Sequence, residues 1–172
     1  SKSNVTTNSK GIWDSDEAQV DLEIGTYKIK EISTVNGYLL DSTVNTIEVK
    51  AGQRSSENIV SFTNKVPTGE IIFTKYNDDK TLTIPNTTYH VTSDTGYEKD
   101  VTTDSNGQIH LTNLKLGTYT FTEKQAANGY LLNENPVKVT INYKDQNTPV
   151  IKVQAEQTDD VPTGEIILTK YN

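Results

Sequence analysis

Cysteine is absent from the 172 residues, which excludes a disulfide framework, a thiolate metal site and a cysteine nucleophile. Aromatic residues make up only 8% of the chain, with one Trp and three Phe. No apolar run approaches the roughly 20 residues of a membrane-spanning helix, so we expect no membrane contact. Lys and Arg number 16 against 23 acidic residues, and the net charge of −7 argues against a nucleic-acid partner. His90 and His110 are too few for a metal site, and no motif indicates a cofactor.

Internal repetition is the strongest pattern present. The segment VPTGEIIFTKYN begins at Val66 and VPTGEIILTKYN at Val161, a period of 161 − 66 = 95, while GYLL recurs at 37 and 129, an offset of 92. The unequal offsets indicate short insertions or deletions in loops. We therefore predict an N-terminally truncated repeat at 1–65, a complete repeat at 66–161, and the first strand of a further repeat at 162–172. The chain is expected to be part of a longer protein.

The local patterns predict an all-β protein. Short alternating runs rich in Thr, Val, Ile and Tyr are separated by turn signals such as SDTG, DSNG and AANG. The runs in the complete repeat are EIIFTKY, TTYHVTS, QIHLTNL, TYTFTE, VKVTINY and PVIKVQA. About seven short strands in one repeat is the size of an immunoglobulin-like sandwich.

Two glutamates lie on faces that should be apolar. Alternation within GTYTFTEKQ places Glu123 on the same face as Tyr119 and Phe121. Glu31 has the same position in the earlier copy, GTYKIKE. A charged carboxylate buried without a partner costs several kcal/mol, so its recurrence indicates a function.

The ordered set of motifs resembles a known family. The complete repeat and residues 1–65 are similar to the B-type repeat of Gram-positive surface proteins, the Cna-B or SpaA-type prealbumin-like domain of adhesin stalks and pilins. The resemblance implies tandem immunoglobulin-like, prealbumin-like β-sandwiches. The matching segments are GEIIFTKYND (69–78), TTDSNGQIHLTNLKLGTYTFTE (102–123) and NGYLL (128–132).

In that family a Lys of the first strand forms an intramolecular isopeptide bond with an Asn or Asp of the last strand, and a buried Glu promotes the reaction. The resemblance implies that Glu31 and Glu123 are the promoting carboxyl groups. It also implies that Lys75 and Lys170 are the lysines and that Asn64 is the acceptor of the first repeat. Burial favours a neutral, nucleophilic amine and a protonated carboxyl group, which suits this chemistry.

The acceptor of the complete repeat stays open at this point. The inward-facing residues of VIKVQAEQTDD lead to Gln157, where an Asn is expected. Glutamine is one methylene longer and would displace the carbonyl group. Asp159 has the same parity and is an alternative if the strand continues. A bond to Gln157, a bond to Asp159 and no bond at all remain three hypotheses.

These observations predict a structural repeat of a Gram-positive adhesin stalk or pilus-like fibre, extracellular and anchored to the cell wall outside these residues. We expect no catalytic cycle beyond single-turnover crosslinking. The expected partners are neighbouring repeats or chains, including head-to-tail strand complementation through 162–170, and a host ligand bound by other domains. The alternatives are a ligand-binding module for host matrix or glycan, with Trp13 as its one candidate contact, and an accessory module of a secreted enzyme.

Overall fold

The computed structural model describes residues 3–172, so residues 1 and 2 of the predicted first repeat lie outside the described part. The chain divides into two compact units, Ser1–Lys65 and Val66–Asn172. Apart from one short 3-10 helix, every regular element of residues 3–172 is a β-strand, which confirms the all-β prediction. No helix in this part of the chain is long and apolar enough to cross a membrane.

The first unit contains one antiparallel hairpin, β1 (Gly25–Lys30) and β2 (Val44–Val49), followed by the 3-10 helix Ser55–Glu57. None of its described residues is buried. The predicted sandwich is therefore only partly present, and the segment IVSFTN (59–64), predicted as a last strand, forms no strand. A strand needs a hydrogen-bonded neighbour, and residues 3–65 supply none beside this segment.

The second unit has seven strands, in agreement with the predicted number. They form a three-stranded sheet of order β6-β3-β9 and a four-stranded sheet of order β5-β4-β7-β8. The six alternating runs coincide with six of these strands, whereas β5 was not predicted because most of its side chains are polar and exposed. The strands are β3 (Thr68–Asn77), β4 (Thr88–Ser93), β5 (Glu98–Thr102), β6 (Gln108–Leu114), β7 (Gly117–Gln125), β8 (Val137–Ile141) and β9 (Val150–Asp159).

An apolar core fills the space between these two sheets. Alternation turns one face of each strand inward, and aromatic rings occupy the centre. The ring of Phe73 on β3 stacks on Phe121 of β7 at 4.6 Å and meets Tyr89 of β4 edge-on at 4.7 Å. The other buried members of this core are Ile71, Val91, Ile109, Leu111, Leu114, Tyr119, Ile141 and Ile151.

Strand β3 is the centre of the three-stranded sheet. It pairs antiparallel with β6 and parallel with β9, so the first and last strands of the unit are neighbours. The backbone of Lys75 is held on the β6 side, where its N–H donates to the Gly107 carbonyl (2.9 Å) and its carbonyl accepts from the Ile84 N–H (2.8 Å). Gly107 has φ +70, and a Cβ there would lie 2.7 Å from the Thr83 Cβ, so the turn requires glycine.

Residues 160–172 follow β9 without regular structure. The side chains of Ile166, Ile167 and Leu168 are each more than nine-tenths exposed. The sequence predicts a strand here, but a strand forms only beside a pairing partner. The assignment of 162–172 to a further repeat stays a prediction.

Candidate functional site

Lys75 is a fully buried lysine in the second unit, with 0% of its surface exposed. Its Nζ donates to Glu123 Oε2 at 2.7 Å, to Gln157 Oε1 at 3.0 Å and to Asp159 Oδ1. An ammonium group has three N–H donors, and all three are used. Glu123 is buried, as alternation predicts, and it contacts the lysine that the resemblance indicates; its promoting role stays a prediction.

Strand register brings these groups together. In the parallel pairing of β3 with β9, Lys75 lies opposite Gln157, and Asn77 lies opposite Asp159. Gln157 and Asp159 are two residues apart, so both side chains point to the core. Glu123 reaches the same point from β7 in the facing sheet. The site therefore exists only where the first strand, the last strand and the facing sheet meet.

The charges of the site do not balance if every group is ionised, because one ammonium faces two carboxylates. Burial raises the pKa of the Glu123 carboxyl, Asp159 raises this pKa further, and Lys75 opposes the rise. Glu123 Oε1 and Asp159 Oδ2 are buried and have no donor among the described side chains. One proton held between these two carboxyl groups would satisfy both oxygens and neutralise the site, and the raised pKa of Glu123 favours this arrangement.

Tyr89 is a member of the site that sequence reasoning missed. Its hydroxyl donates to Gln157 Oε1 at 2.7 Å, and Lys75 Nζ lies 5.6 Å from its ring centroid. Alternation with Val91 predicts that Tyr89 is buried, but only the packing of the two sheets shows which group its hydroxyl meets. Gln157 also donates its Nε2 to the Asn135 carbonyl at 2.6 Å.

The offset between the two repeats indicates an acceptor residue, which strand alternation alone does not. The VPTGE offset of 95 residues matches Asn64 with Asp159 (159 − 64 = 95) and Phe62 with Gln157 (157 − 62 = 95). Asp159 thus occupies the position of the predicted acceptor of the first repeat. Both alternatives, Gln157 and Asp159, contact Lys75, so contact by itself does not choose between them.

The first unit contains the matching half of this arrangement. Asn64 Nδ2 donates to Glu31 Oε2 at 2.7 Å and to the Leu39 carbonyl at 2.9 Å, and both side chains are half-buried. The Leu39 N–H donates to the Lys65 carbonyl at 2.7 Å, as the Leu131 N–H donates to Asp160 in the second unit. Lys170 lies in the exposed segment 160–172. The predicted roles of Glu31, Asn64 and Lys170 stay predictions.

The described residues hold no group of three or more side chains that could bind a metal ion. The site is therefore built from one amine, two carboxyl groups, one carboxamide and one phenol. A buried amine that is hydrogen-bonded to a carboxamide and to two carboxyl groups, one with a raised pKa, has the groups that acyl transfer requires.

A family model described as the SpaA prealbumin-like fold domain matches residues 1–65 and 69–159. No curated protein matches the chain in sequence. These two matched ranges include Glu31, Glu123, Lys75 and the candidate acceptors Asn64, Gln157 and Asp159.

Solved structures of Gram-positive surface proteins are similar to this chain. The Bacillus anthracis TIE protein is 31% identical over 92% of this chain and 28% of its own, with a TM-score of 0.68. The group B streptococcus pilus 2b backbone protein is 18% identical over 70% of this chain and 49% of its own, with a TM-score of 0.50. The second likeness concerns the fold alone, and the chain spans less than half of either structure.

Proposed function

Because the chain belongs to the family of SpaA prealbumin-like fold domains, we propose that it is a shaft or stalk segment of a Gram-positive adhesin or pilus-like fibre. Its location is then extracellular, on a protein anchored to the cell wall. The observation that carries the proposal is Lys75, buried between Glu123 and Asp159. In this role the unit stabilises itself by one covalent bond between its first and last strands.

The bond forms by acyl transfer from Asp159 to Lys75. The ammonium group loses one proton, its Nζ attacks Asp159 Cγ to form the Nζ–Cγ bond, and the nitrogen then loses a second proton. One Cγ–O bond of Asp159 then breaks, and the oxygen leaves as water after taking two protons. Glu123 donates and recovers a proton, so it is unchanged. The products are a neutral amide and one water, and a buried ion pair is removed from an apolar site.

Three observations favour Asp159 over Gln157 as the acceptor. The Gln157 nitrogen, which would have to leave, is held by the Asn135 carbonyl at 2.6 Å. Burial and the neighbouring Asp159 both raise the pKa of Glu123, which favours a proton donor beside the Asp159 oxygen that departs. Asp159 also occupies the repeat position of Asn64, which contacts its own glutamate.

The crosslink has a mechanical consequence. It joins two residues that are 84 apart in sequence, and by analogy with disulfide loop closure it stabilises the unit by about 4–5 kcal/mol. Force applied to the chain before β3 and after β9 passes through the covalent bond. The residues between Lys75 and Asp159 therefore bear no load and cannot be extended. A stalk that bears load and resists proteolysis needs this property.

Intact mass spectrometry of the purified chain tests the proposal. We expect the mass to be lower than that of the sequence by one water, and a Lys75–Asp159 branched peptide after digestion. Lys75→Ala, Asp159→Ala and Glu123→Ala should each restore the full mass. An unreduced mass in the wild-type chain contradicts the crosslinking function.

We propose further that the partner of this chain is a second copy, joined head to tail. Segment 161–172 repeats β3 except that Leu168 replaces Phe73, and it is exposed. The pair Glu31–Asn64 matches the promoter and acceptor of the second unit. Residues 162–170 of one copy would lie beside the 55–64 segment of the next and bring Lys170 to Asn64.

Denaturing gels of the concentrated chain test this join. We expect boiling-resistant oligomers in which each added chain has released one ammonia, and we expect them to disappear in Lys170→Ala. Lys152→Ala, which removes an exposed lysine of β9, is the matched control and should keep the oligomers. A single monomer band at all concentrations would rule out the covalent join.

A further inference from the structure

Gln157 is a direct hydrogen-bond partner of the buried Lys75. It is 7% exposed and makes three hydrogen bonds: two accepted by Oε1, from Lys75 Nζ and the Tyr89 hydroxyl, and one donated by Nε2 to Asn135. The carboxamide is therefore fixed at both ends. A side chain held in this way presents its carbonyl oxygen to Lys75 in one orientation.

The hydrogen bond from Lys75 to Gln157 bears on the direction in which the amine can attack. A neutral amine has two N–H donors and one lone pair, and the lone pair must face Asp159 Cγ for the bond to form. The other two partners of Lys75 Nζ are Glu123 Oε2 and Gln157 Oε1. Hydrogen bonds to these two oxygens orient the amine so that the remaining direction points to Asp159.

Tyr89 supports Gln157 from the facing sheet. It is fully buried on β4, and its ring packs edge-on against Phe73. Burial, together with the nearby Glu123 and Asp159, raises the pKa of the Tyr89 phenol, so it remains a hydrogen-bond donor. A buried phenol needs an acceptor, and Gln157 Oε1 is the one it has.

The first unit shows that this pair is not a general part of the arrangement. The position matching Gln157 is Phe62, which has no hydrogen-bonding side chain. Glu31 and Asn64 nevertheless make contact. The Tyr89–Gln157 pair is therefore an addition specific to the complete repeat.

We propose that Gln157 orients the Lys75 amine towards Asp159, and that Tyr89 is a positioning residue that acts through Gln157. The proposal rests on the crosslinking function proposed above. Gln157 then favours Asp159 as the acceptor, because its oxygen takes one N–H of the amine and leaves the lone pair to face Asp159.

The rate of bond formation tests this inference. The full chain and its variants would be made by cell-free synthesis, quenched in acid at intervals and weighed as intact proteins. We expect Tyr89→Phe to slow the loss of water about tenfold and Gln157→Met about a hundredfold, because misplacement of a reacting group by about 1 Å costs up to that factor. The double variant should be no slower than Gln157→Met, since Tyr89 acts through Gln157.

The matched control is Tyr119→Phe. Tyr119 is equally buried, but its hydroxyl donates to the Lys115 carbonyl, away from the site. We expect this variant to crosslink at the wild-type rate, although its melting temperature should fall about as much as that of Tyr89→Phe. Equal rates for Tyr89→Phe and Tyr119→Phe would overturn the positioning role while the wild-type loss of water still supports the crosslink.

Two further outcomes are also decisive. Loss of ammonia instead of water, abolished by Gln157→Met and retained by Asp159→Ala, would make Gln157 the acceptor and overturn the inference. No mass loss in the wild-type chain would contradict the proposed function itself, and the inference with it.

Discussion

The hairpins β1–β2 and β7–β8 are two copies of one structure in different surroundings. Gly25 pairs with Val49 in the first, and Gly117 pairs with Ile141 in the second. Both partners are shifted by the same 92 residues (117 − 25 and 141 − 49). The second copy has a buried face, whereas no residue of the first is buried. The hairpin therefore forms without a sandwich, but its apolar face is not covered.

The difference between the two units teaches what holds a unit of this family together. In the second unit β3 joins β6 to β9 and packs its aromatic ring on β7. Residues 3–65 include no counterpart of β3, and the segment matching β9 (55–64) has no strand. One central strand thus provides pairing for two neighbours, two buried core residues (Ile71 and Phe73) and the candidate reactive lysine.

The largest expected difference between the two units comes from replacing the candidate acceptor in each of them with alanine. Asp159→Ala should lower the melting temperature of the second unit by on the order of 20 °C, because the crosslink is lost and Lys75 stays buried with one carboxyl group fewer. Asn64→Ala, at the matching position, should cost only about 1 kcal/mol for its hydrogen bonds. Calorimetry with intact mass checks both.

The control for this pair is Asp159→Asn. It keeps a carbonyl acceptor at the same position, so the crosslink should form with release of ammonia instead of water. Failure of Asp159→Asn to crosslink would show that the site depends on the carboxyl group itself, and it would contradict the equivalence of Asp159 and Asn64.

The next effect concerns the core and uses the matched positions Phe121 and Ile29 (121 − 29 = 92). Phe121 is 0% exposed and Ile29 is 36% exposed. Phe121→Ala should destabilise the second unit by about 3–5 kcal/mol. Ile29→Ala should cost less, about 1 kcal/mol, because more than a third of its surface already lies in water and no buried core surrounds it. Trp13 fluorescence reports unfolding of the first unit, and near-ultraviolet dichroism reports that of the second. Equal losses of unfolding free energy in the two variants would contradict the predicted difference between the units.

A smaller effect is a pH dependence in the variant Lys75→Met. The raised pKa of Glu123 means that the folded state holds this proton more tightly than the unfolded state. The stabilisation is complete below the ordinary value of 4.5 and is lost as pH rises through the folded-state pKa. Urea unfolding should therefore show stability of this variant falling as pH rises above 4.5, by about 1.4 kcal/mol per unit of pKa difference.

Glu123→Gln on the Lys75→Met background is the control, and it should remove this contribution. Without Lys75 the charge that opposes the rise in pKa is gone, so the total loss of stability should be larger, and extend to higher pH, than in an uncrosslinked chain that keeps the lysine. Stability that rises with pH in Lys75→Met would show that Glu123 is ionised in the folded state.

The smallest effects are expected at exposed ion pairs, where the two units should behave alike. Lys80 pairs with Glu156 in the second unit and Lys50 with Glu48 in the first, all with at least half of the side chain exposed. Glu156→Gln and Glu48→Gln should each change stability by less than about 1 kcal/mol, an effect that salt reduces. A large effect of Glu156→Gln would mean that the unit also depends on its surface charges.

The strands, their inward faces and the repeat were predictable from the sequence, because alternation is a local property and 95-residue periodicity is visible by comparison of segments. The same alternation placed Glu123 in the core, and the family resemblance indicated Lys75 as its partner. Tertiary structure alone decided which side chains meet there. The contacts of Tyr89 with Gln157 and of Glu123 with Lys75 depend on the packing of two sheets, and those of Gln157 and Asp159 with Lys75 depend on the parallel register of β3 with β9. It also decided that 59–64 and 162–172 carry strand patterns without being strands, because a strand is completed by a neighbour that is distant in sequence.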